Sequence, residues 1–115
     1  MEILNSHITI NVKDLDQSIQ FYEKIGFHLQ QKWGNHYAQL TAKGIEIGLH
    51  PSSNPSMDNH QAGISIGLTS KDFKATKEEL LELGISVTER NEEGGGFLHF
   101  NDPDGTALYF IQPKW

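Results

Sequence analysis

Cysteine is absent from the 115 residues of the sequence, and this excludes disulfides, thiolate metal ligands and a cysteine nucleophile. Long apolar runs are missing too, since none approaches the roughly 18 residues that a membrane-spanning helix needs. Basic residues are few: nine Lys and Arg stand against fifteen Asp and Glu and leave a net charge of −6. Such a chain repels a phosphate backbone and an anionic membrane. We therefore expect no nucleic acid and no membrane as partner, and a neutral or cationic small molecule fits better.

The length and composition indicate one compact domain of ordinary globular type, with 37% hydrophobic residues for its core. The first residues lack the basic flank and the apolar core of a signal peptide. We therefore expect the protein in the cytoplasm.

The chain contains the same pattern twice. Asp14 precedes an amphipathic stretch that ends at Gly26, and Asp72 precedes a second that ends at Gly84. The aspartate and the glycine are therefore 12 residues apart in both copies. Aspartate is a favoured helix N-cap, and glycine is a favoured C-terminal stop. Strands are predicted around each helix, at residues 7–12, 27–33, 37–42 and 45–50 in the first copy and at 63–68, 85–90, 97–101 and 106–112 in the second.

This order, βαβββ twice, predicts an α+β fold. Module one covers about residues 1–50, a linker rich in Pro, Ser and Asn covers about 51–61, and module two covers about 62–115. The loop at 91–96 is predicted as a hairpin tip because of its three glycines. Neither module can bury its own apolar face, so we expect two curved sheets that enclose a common cleft, with the helices outside.

Alternation divides the strand residues between two faces. The face toward the helices is predicted to hold Ile8, Ile10, Val12, Ile45, Ile47, Leu49, Ile64, Ile66, Leu68, Leu98, Phe100, Leu108 and Phe110. The opposite face is predicted to hold His7, Thr9, Asn11, Glu46, Gly48, His50, Gly63, Ser65, Gly67, Phe97, His99, Ala107, Tyr109 and Ile111. A polar face is typical of a solvated sheet surface. Duplication favours a ligand cleft instead, in which the glycines leave room for the ligand.

Several features together resemble the vicinal oxygen chelate superfamily. They are the duplicated βαβββ order, the opening run His7-Ile-Thr-Ile-Asn-Val-Lys-Asp-Leu, the pair Phe21-Tyr22 on the first helix, and the Asp102-Pro-Asp-Gly turn before the last strand. This superfamily includes lactoylglutathione lyases, extradiol dioxygenases, and fosfomycin- and bleomycin-resistance proteins. The resemblance spans essentially the whole chain and implies the fold. It does not fix the function, because one scaffold hosts several reactions as well as pure binding.

The resemblance also implies where a metal would be held. Metal-using members take one ligand from the first strand and one from the last strand of each copy, and these positions fall on His7, on Glu46 or Gly48, on Gly63 or Ser65, and on Tyr109, where a glutamate is expected. At best His7 and Glu46 remain, and two protein ligands rarely hold a divalent ion. An off-pattern His/His/Glu set around zinc, nickel or iron stays open as an alternative, because His50, His99 and Tyr109 share this face with His7 and Glu46.

We therefore predict a small-molecule-binding protein, similar to the bleomycin-resistance branch, without a catalytic metal or another cofactor. The predicted ligand-binding residues are His7, Asn11, Trp33, Tyr37, Glu46, Gly48, His50, Phe97, His99 and Tyr109. Their rings would stack on a planar ligand, and their polar groups would orient it. The alternative is a metal-dependent lyase or dioxygenase of the same superfamily, which needs a divalent metal ion. A third interpretation is an interaction module without a ligand, and short edge strands favour a homodimer.

Overall fold

The computed structural model describes residues 1–55, 64–92 and 95–113. Its elements are β1 (Ile8–Val12), α1 (Leu15–Lys24), β2 (His28–Trp33), β3 (Tyr37–Ala42), β4 (Ile45–Pro51), β5 (Ile66–Leu68), α2 (Phe73–Glu82), β6 (Thr88–Glu92), β7 (Gly95–Asn101) and β8 (Ala107–Pro113). This order confirms the α+β fold with two βαβββ modules. The chain divides into two compact units, Met1–His60 and Gln61–Trp115. Neither helix among these elements is long and apolar enough to cross a membrane.

Helices α1 and α2 begin with the same cap. The Oδ1 of Asp14 accepts a hydrogen bond from the amide of Gln17 at 3.0 Å, and the Oδ1 of Asp72 accepts one from the amide of Ala75 at 3.0 Å. Each bond satisfies an amide that has no partner inside the helix. The aspartates predicted as N-caps are therefore confirmed.

Both helices also end in the same way. Gly26 and Gly84 have φ angles of 115° and 78°, which favour glycine. After each glycine the chain turns back on the helix, because the amide of Phe27 bonds to the carbonyl of Tyr22 and the amide of Ile85 bonds to that of Leu80. This pattern is a Schellman motif. It fixes the direction in which the chain leaves the helix toward the next strand.

Each module has its own four-stranded mixed sheet. The strand order is β1-β4-β3-β2 in module one and β5-β8-β7-β6 in module two. The first strand of each module runs parallel to the last, and the remaining neighbours are antiparallel. The same connectivity in both units is what a duplicated chain predicts.

The core of each module lies between its helix and one face of its sheet. Most of the predicted core residues are buried there, namely Ile10, Val12, Ile47, Leu49, Ile66, Leu98, Phe100, Leu108 and Phe110. Two predictions are wrong, because Ile8 is 45% exposed and Ile64 is 59% exposed. Ile8 is the first residue of β1, and Ile64 precedes the start of β5. Both therefore lie at the end of an edge strand, where fewer residues cover a side chain than in the middle of the strand.

The second half of module two differs from the sequence prediction in two places. Strand β6 begins at Thr88 and not at Ile85, because the amide of Ile85 is bound to the end of α2. The predicted hairpin tip is shorter than residues 91–96, since Gly95 and Gly96 belong to β7 and pair with Pro113 and Gln112. Both glycines are buried.

Candidate functional site

The site is built on the side of each sheet that faces away from the helix, which we call the helix-free face. In module one, Thr9, Gly48 and Gln39 form one row across β1, β4 and β3. Side chains at these positions alternate with the buried Ile10, Leu49 and Leu40. Alternation therefore places the row on the helix-free face.

Tyr37 lies across this row. A Cβ atom added at Gly48 would overlap the phenol ring and hydroxyl of Tyr37, and the hydroxyl lies 3.3 Å from the Oγ1 of Thr9. The indole of Trp33 packs beside it, with ring centroids 5.6 Å apart. The space that glycine leaves at position 48 is thus filled by a tyrosine of the same chain. The interpretation of this glycine as free room is wrong, whereas its place among the ligand-binding residues stays a prediction.

The polar residues predicted for module one are spread along β1 and β4. His7 is exposed and directly precedes β1, and Glu46 is half-buried and pairs with Thr41 of β3. Asn11 pairs with His50, whose side chain is exposed. The register that aligns Ile8 with Ile47 also brings His7 level with Glu46. The structure therefore places two pairs of polar residues side by side on this face, His7 with Glu46 and Asn11 with His50.

In module two the predicted site residues come together as a cluster of three rings. The centroid of Phe97 lies 5.7 Å from that of His99 and 5.7 Å from that of Tyr109, and the last two rings are 5.8 Å apart. Phe97 and His99 are nearly parallel, at 11°. All three are half-buried. The cluster offers a continuous aromatic surface with two polar groups, the imidazole of His99 and the hydroxyl of Tyr109.

The ring cluster rests on a second glycine. A Cβ atom at Gly67 would meet the hydroxyl of Tyr109 at 2.5 Å, so the phenol covers this position as Tyr37 covers Gly48. The interpretation of Gly67 as free room is wrong for the same reason. Gly63, the remaining glycine of this group, lies outside the described residues.

A groove beside the ring cluster was missed by the sequence analysis. It has a volume of about 410 Å³ and is lined by residues of β6, β7 and β8 and of the segment before β6, among them Ser86, Thr88, Arg90, His99, Asn101 and Ala107. We call it the Arg90 groove. The strand register reveals this groove, since Arg90 pairs with Phe97 and Thr88 pairs with His99. Paired residues share a face.

A metal ion does not fit the donors that the structure describes. Within residues 1–55, 64–92 and 95–113, no group of three His, Asp or Glu side chains lies close enough to hold one. In module one, His7, Glu46 and His50 do not form such a group. In module two, the position implied for a glutamate holds Tyr109, whose ring belongs to the aromatic cluster. Catalytic zinc sites usually take three protein ligands.

Comparison with known proteins places this geometry in a family. A model of the Glyoxalase/Bleomycin resistance protein/Dioxygenase superfamily matches residues 5–110. The Glutathione transferase FosA of Serratia marcescens is 27% identical over 108 residues, and the match covers 90% of this chain and 76% of that protein.

Two solved structures show the same fold. A bleomycin-binding protein complexed with bleomycin has a TM-score of 0.72 at 21% identity and covers 97% of this chain and 100% of its own. The fosfomycin resistance protein FosX of Listeria monocytogenes, complexed with Mn(II) and sulfate, has a TM-score of 0.80 at 19% identity and covers 99% of this chain and 93% of its own. The chain belongs to the Glyoxalase/Bleomycin resistance protein/Dioxygenase superfamily.

Proposed function

We propose that the protein binds a small organic molecule that has a planar ring, and that it does so without a catalytic metal. One observation carries the proposal: Phe97, His99 and Tyr109 form a half-buried ring cluster on the helix-free face of module two. A surface of this kind stacks on a flat ligand, and the imidazole and phenol can orient it by hydrogen bonds. The neighbouring groove adds volume for the rest of the ligand.

The residues of module one extend the proposal. Trp33 and Tyr37 form a second, smaller aromatic surface, with centroids 5.6 Å apart. Asn11, Glu46, His50 and His7 supply polar groups on or next to the same strands. We propose that these residues of module one contact a ligand as well.

Relatives support binding as a function of this fold. One solved structure of the same fold is a bleomycin-binding protein in complex with bleomycin. Bleomycin is therefore a reasonable first compound to test. The proposal itself concerns a class of ligand, a planar ring with polar substituents, and not that compound.

The alternative is a metal-dependent enzyme of the superfamily, such as a lyase or dioxygenase, with a divalent ion as cofactor. The relative named Glutathione transferase FosA favours an enzymatic role, because it matches 90% of this chain. In this chain His7 and Glu46 are the residues that would hold the ion, and the ion would polarise substrate oxygens. Two donors are too few by the usual requirement, so we favour the binder.

The binding test is an NMR titration of the wild-type chain with bleomycin and a panel of planar aromatic compounds. We expect the signals of Phe97, His99 and Tyr109 to shift, and we expect Phe97→Ala to weaken binding about fivefold to tenfold, since ring stacking contributes about 1–1.5 kcal/mol. Leu29→Ala, which removes a 39% exposed apolar side chain from β2, is the control and should have little effect. No binding of any compound, or equal loss in both variants, would refute the proposal.

The metal test separates the two candidates. The protein is purified without added metal, its metal content is measured, and nickel, zinc and iron(II) are titrated into wild type and His7→Ala. We expect no stoichiometric uptake by either. Uptake of one ion per chain that His7→Ala abolishes would favour the enzyme instead.

The predicted homodimer and the predicted cytoplasmic location belong to the same proposal. Strands β1 and β2 are the edges of their sheet among the described strands, and edge strands are common sites of pairing with a second copy. Light scattering after size exclusion tests the dimer, and fractionation of cells tests the location.

A further inference from the structure

We propose that the Arg90 groove binds an oxyanion, a carboxylate or a phosphate group, of the ligand whose ring lies on Phe97, His99 and Tyr109. This inference rests on the proposed function and adds the charge of the ligand. It concerns module two alone, where the described residues that line the groove lie.

The charge of the groove is opposite to that of the chain. The chain has a net charge of −6, yet no carboxylate is among the described residues that line the groove, and the guanidinium of Arg90 is the fixed charge among them. Glu89, the preceding residue on β6, binds Lys77 at 2.6 Å and so points to the other side of the sheet. Glu92 follows on the side of Arg90 but does not line the groove.

The backbone of Arg90 belongs to the β6–β7 ladder, but its side chain has no partner among the described residues. Within that part of the chain the guanidinium makes no ion pair and no hydrogen bond. Its side chain is exposed, so its five donors are available to a ligand. Guanidinium groups bind carboxylate and phosphate oxygens in pairs, which is a geometry that neutral ligands cannot match.

The neighbours of Arg90 complete a polar site. Ser86 and Thr88 provide hydroxyl donors, Asn101 provides an amide, and His99 links the groove to the ring cluster. A ligand with its ring on Phe97 would therefore have its oxyanion on Arg90, because these two residues are direct neighbours across β6 and β7.

The experiment compares four ligands that share one ring: benzoate, phenyl phosphate, neutral benzamide and cationic benzamidine. Each is titrated by NMR into wild type, Arg90→Gln and Arg90→Lys. The control is Lys74→Gln, which removes the same charge from α2, outside the groove. All variants concern exposed side chains, and retained spectra confirm that they fold.

We expect benzoate or phenyl phosphate to bind wild type about tenfold more tightly than benzamide, as one charge-assisted hydrogen-bond pair provides. The tighter of the two identifies the oxyanion. Arg90→Gln should abolish the preference for the anion over benzamide. Arg90→Lys should retain part of this preference, and Lys74→Gln should retain all of it. Benzamide should bind Arg90→Gln as it binds wild type.

Two results would overturn the inference: benzamidine that binds as tightly as the anions, or anions that bind Arg90→Gln as tightly as wild type. In both cases a shift of the ring-cluster signals by benzamide leaves the proposed function standing. If none of the four ligands shifts those signals, the proposed function and this inference fail together.

Discussion

The phenol of Tyr37 crosses strand β4 above Gly48 and brings its hydroxyl to 3.3 Å from the Oγ1 of Thr9 on strand β1. Three strands are thus joined on one face by a single side chain. The arrangement requires glycine at position 48, because any Cβ atom there would overlap the ring.

We expect Gly48→Ala to lower the free energy of unfolding by about 1–3 kcal/mol, the usual cost of forcing extra atoms into a packed place. Urea denaturation measures the change. Tyr37→Ala removes the obstacle, so alanine at position 48 should cost much less in the Tyr37→Ala background. Additive losses in the double variant would contradict this account.

The turn between β7 and β8 depends on the buried carboxylate of Asp102. Its Oδ1 accepts hydrogen bonds from the amides of Asp104 at 2.9 Å and Thr106 at 2.8 Å. Asp102→Ala leaves these amides without this acceptor, and we expect a loss of about 1–3 kcal/mol in thermal or urea unfolding.

Asp102→Asn is the matched variant, since its amide oxygen can still accept both bonds. It should lose clearly less than Asp102→Ala. Equal losses would show that charge, and not the acceptor, is what the turn needs.

The two helices differ at one corresponding position, four residues after the capping aspartate. In α1 the hydroxyl of Ser18 is buried and has no hydrogen-bond partner among the described residues. We expect Ser18→Ala to raise stability by about 0.5–1 kcal/mol, because alanine has the higher helix propensity and buries no hydroxyl. Urea denaturation of the variant measures this gain.

In α2 the same place is Thr76, whose hydroxyl donates to the Oγ of Ser70 at 2.6 Å and lies 2.8 Å from the carbonyl oxygen of Asp72. Thr76→Val keeps the shape and removes these bonds, so it should lower stability by about 1 kcal/mol. Changes of the same sign in Ser18→Ala and Thr76→Val would show that the hydrogen bonds do not decide the difference.

The ring and the hydroxyl of Tyr109 have separate roles in the proposed site. Tyr109→Phe keeps the ring that contacts Phe97 and His99, so we expect binding of a planar compound to fall less than about threefold. Tyr109→Ala removes the stacking surface and should reduce it about tenfold or more. Calorimetric titration measures both affinities. Equal loss in both variants would show that the hydroxyl contributes more to binding than the ring.

The sequence predicts the local features of this fold well. The capping aspartates and the stop glycines act within one helical turn, so residue type alone identifies them. Strand β6 is misplaced by the same reasoning, because Ile85 has the alternation of a strand residue while its amide closes the helix end. Two local rules compete there, and the helix end prevails.

The site depends on relations between strands, which residue type does not reveal. Gly48 and Gly67 indicate an empty floor, but the tyrosines that fill it come from neighbouring strands. Arg90 belongs to the groove only through its pairing with Phe97. The sequence shows which residues of one strand share a face, because side chains alternate along it. The register between two strands is set by the turns and the packing of the whole module.

In each module a tyrosine ring lies over a glycine, Tyr37 over Gly48 and Tyr109 over Gly67. The depth of a pocket on this face is therefore set by the side chain at the tyrosine position and not by the course of the backbone. A shorter residue at position 37 or 109 would deepen the site down to the strand itself, with no change in helices or turns. In the proposed binding role, close relatives of this chain can therefore differ in the size of molecule they admit through substitutions at these two positions alone.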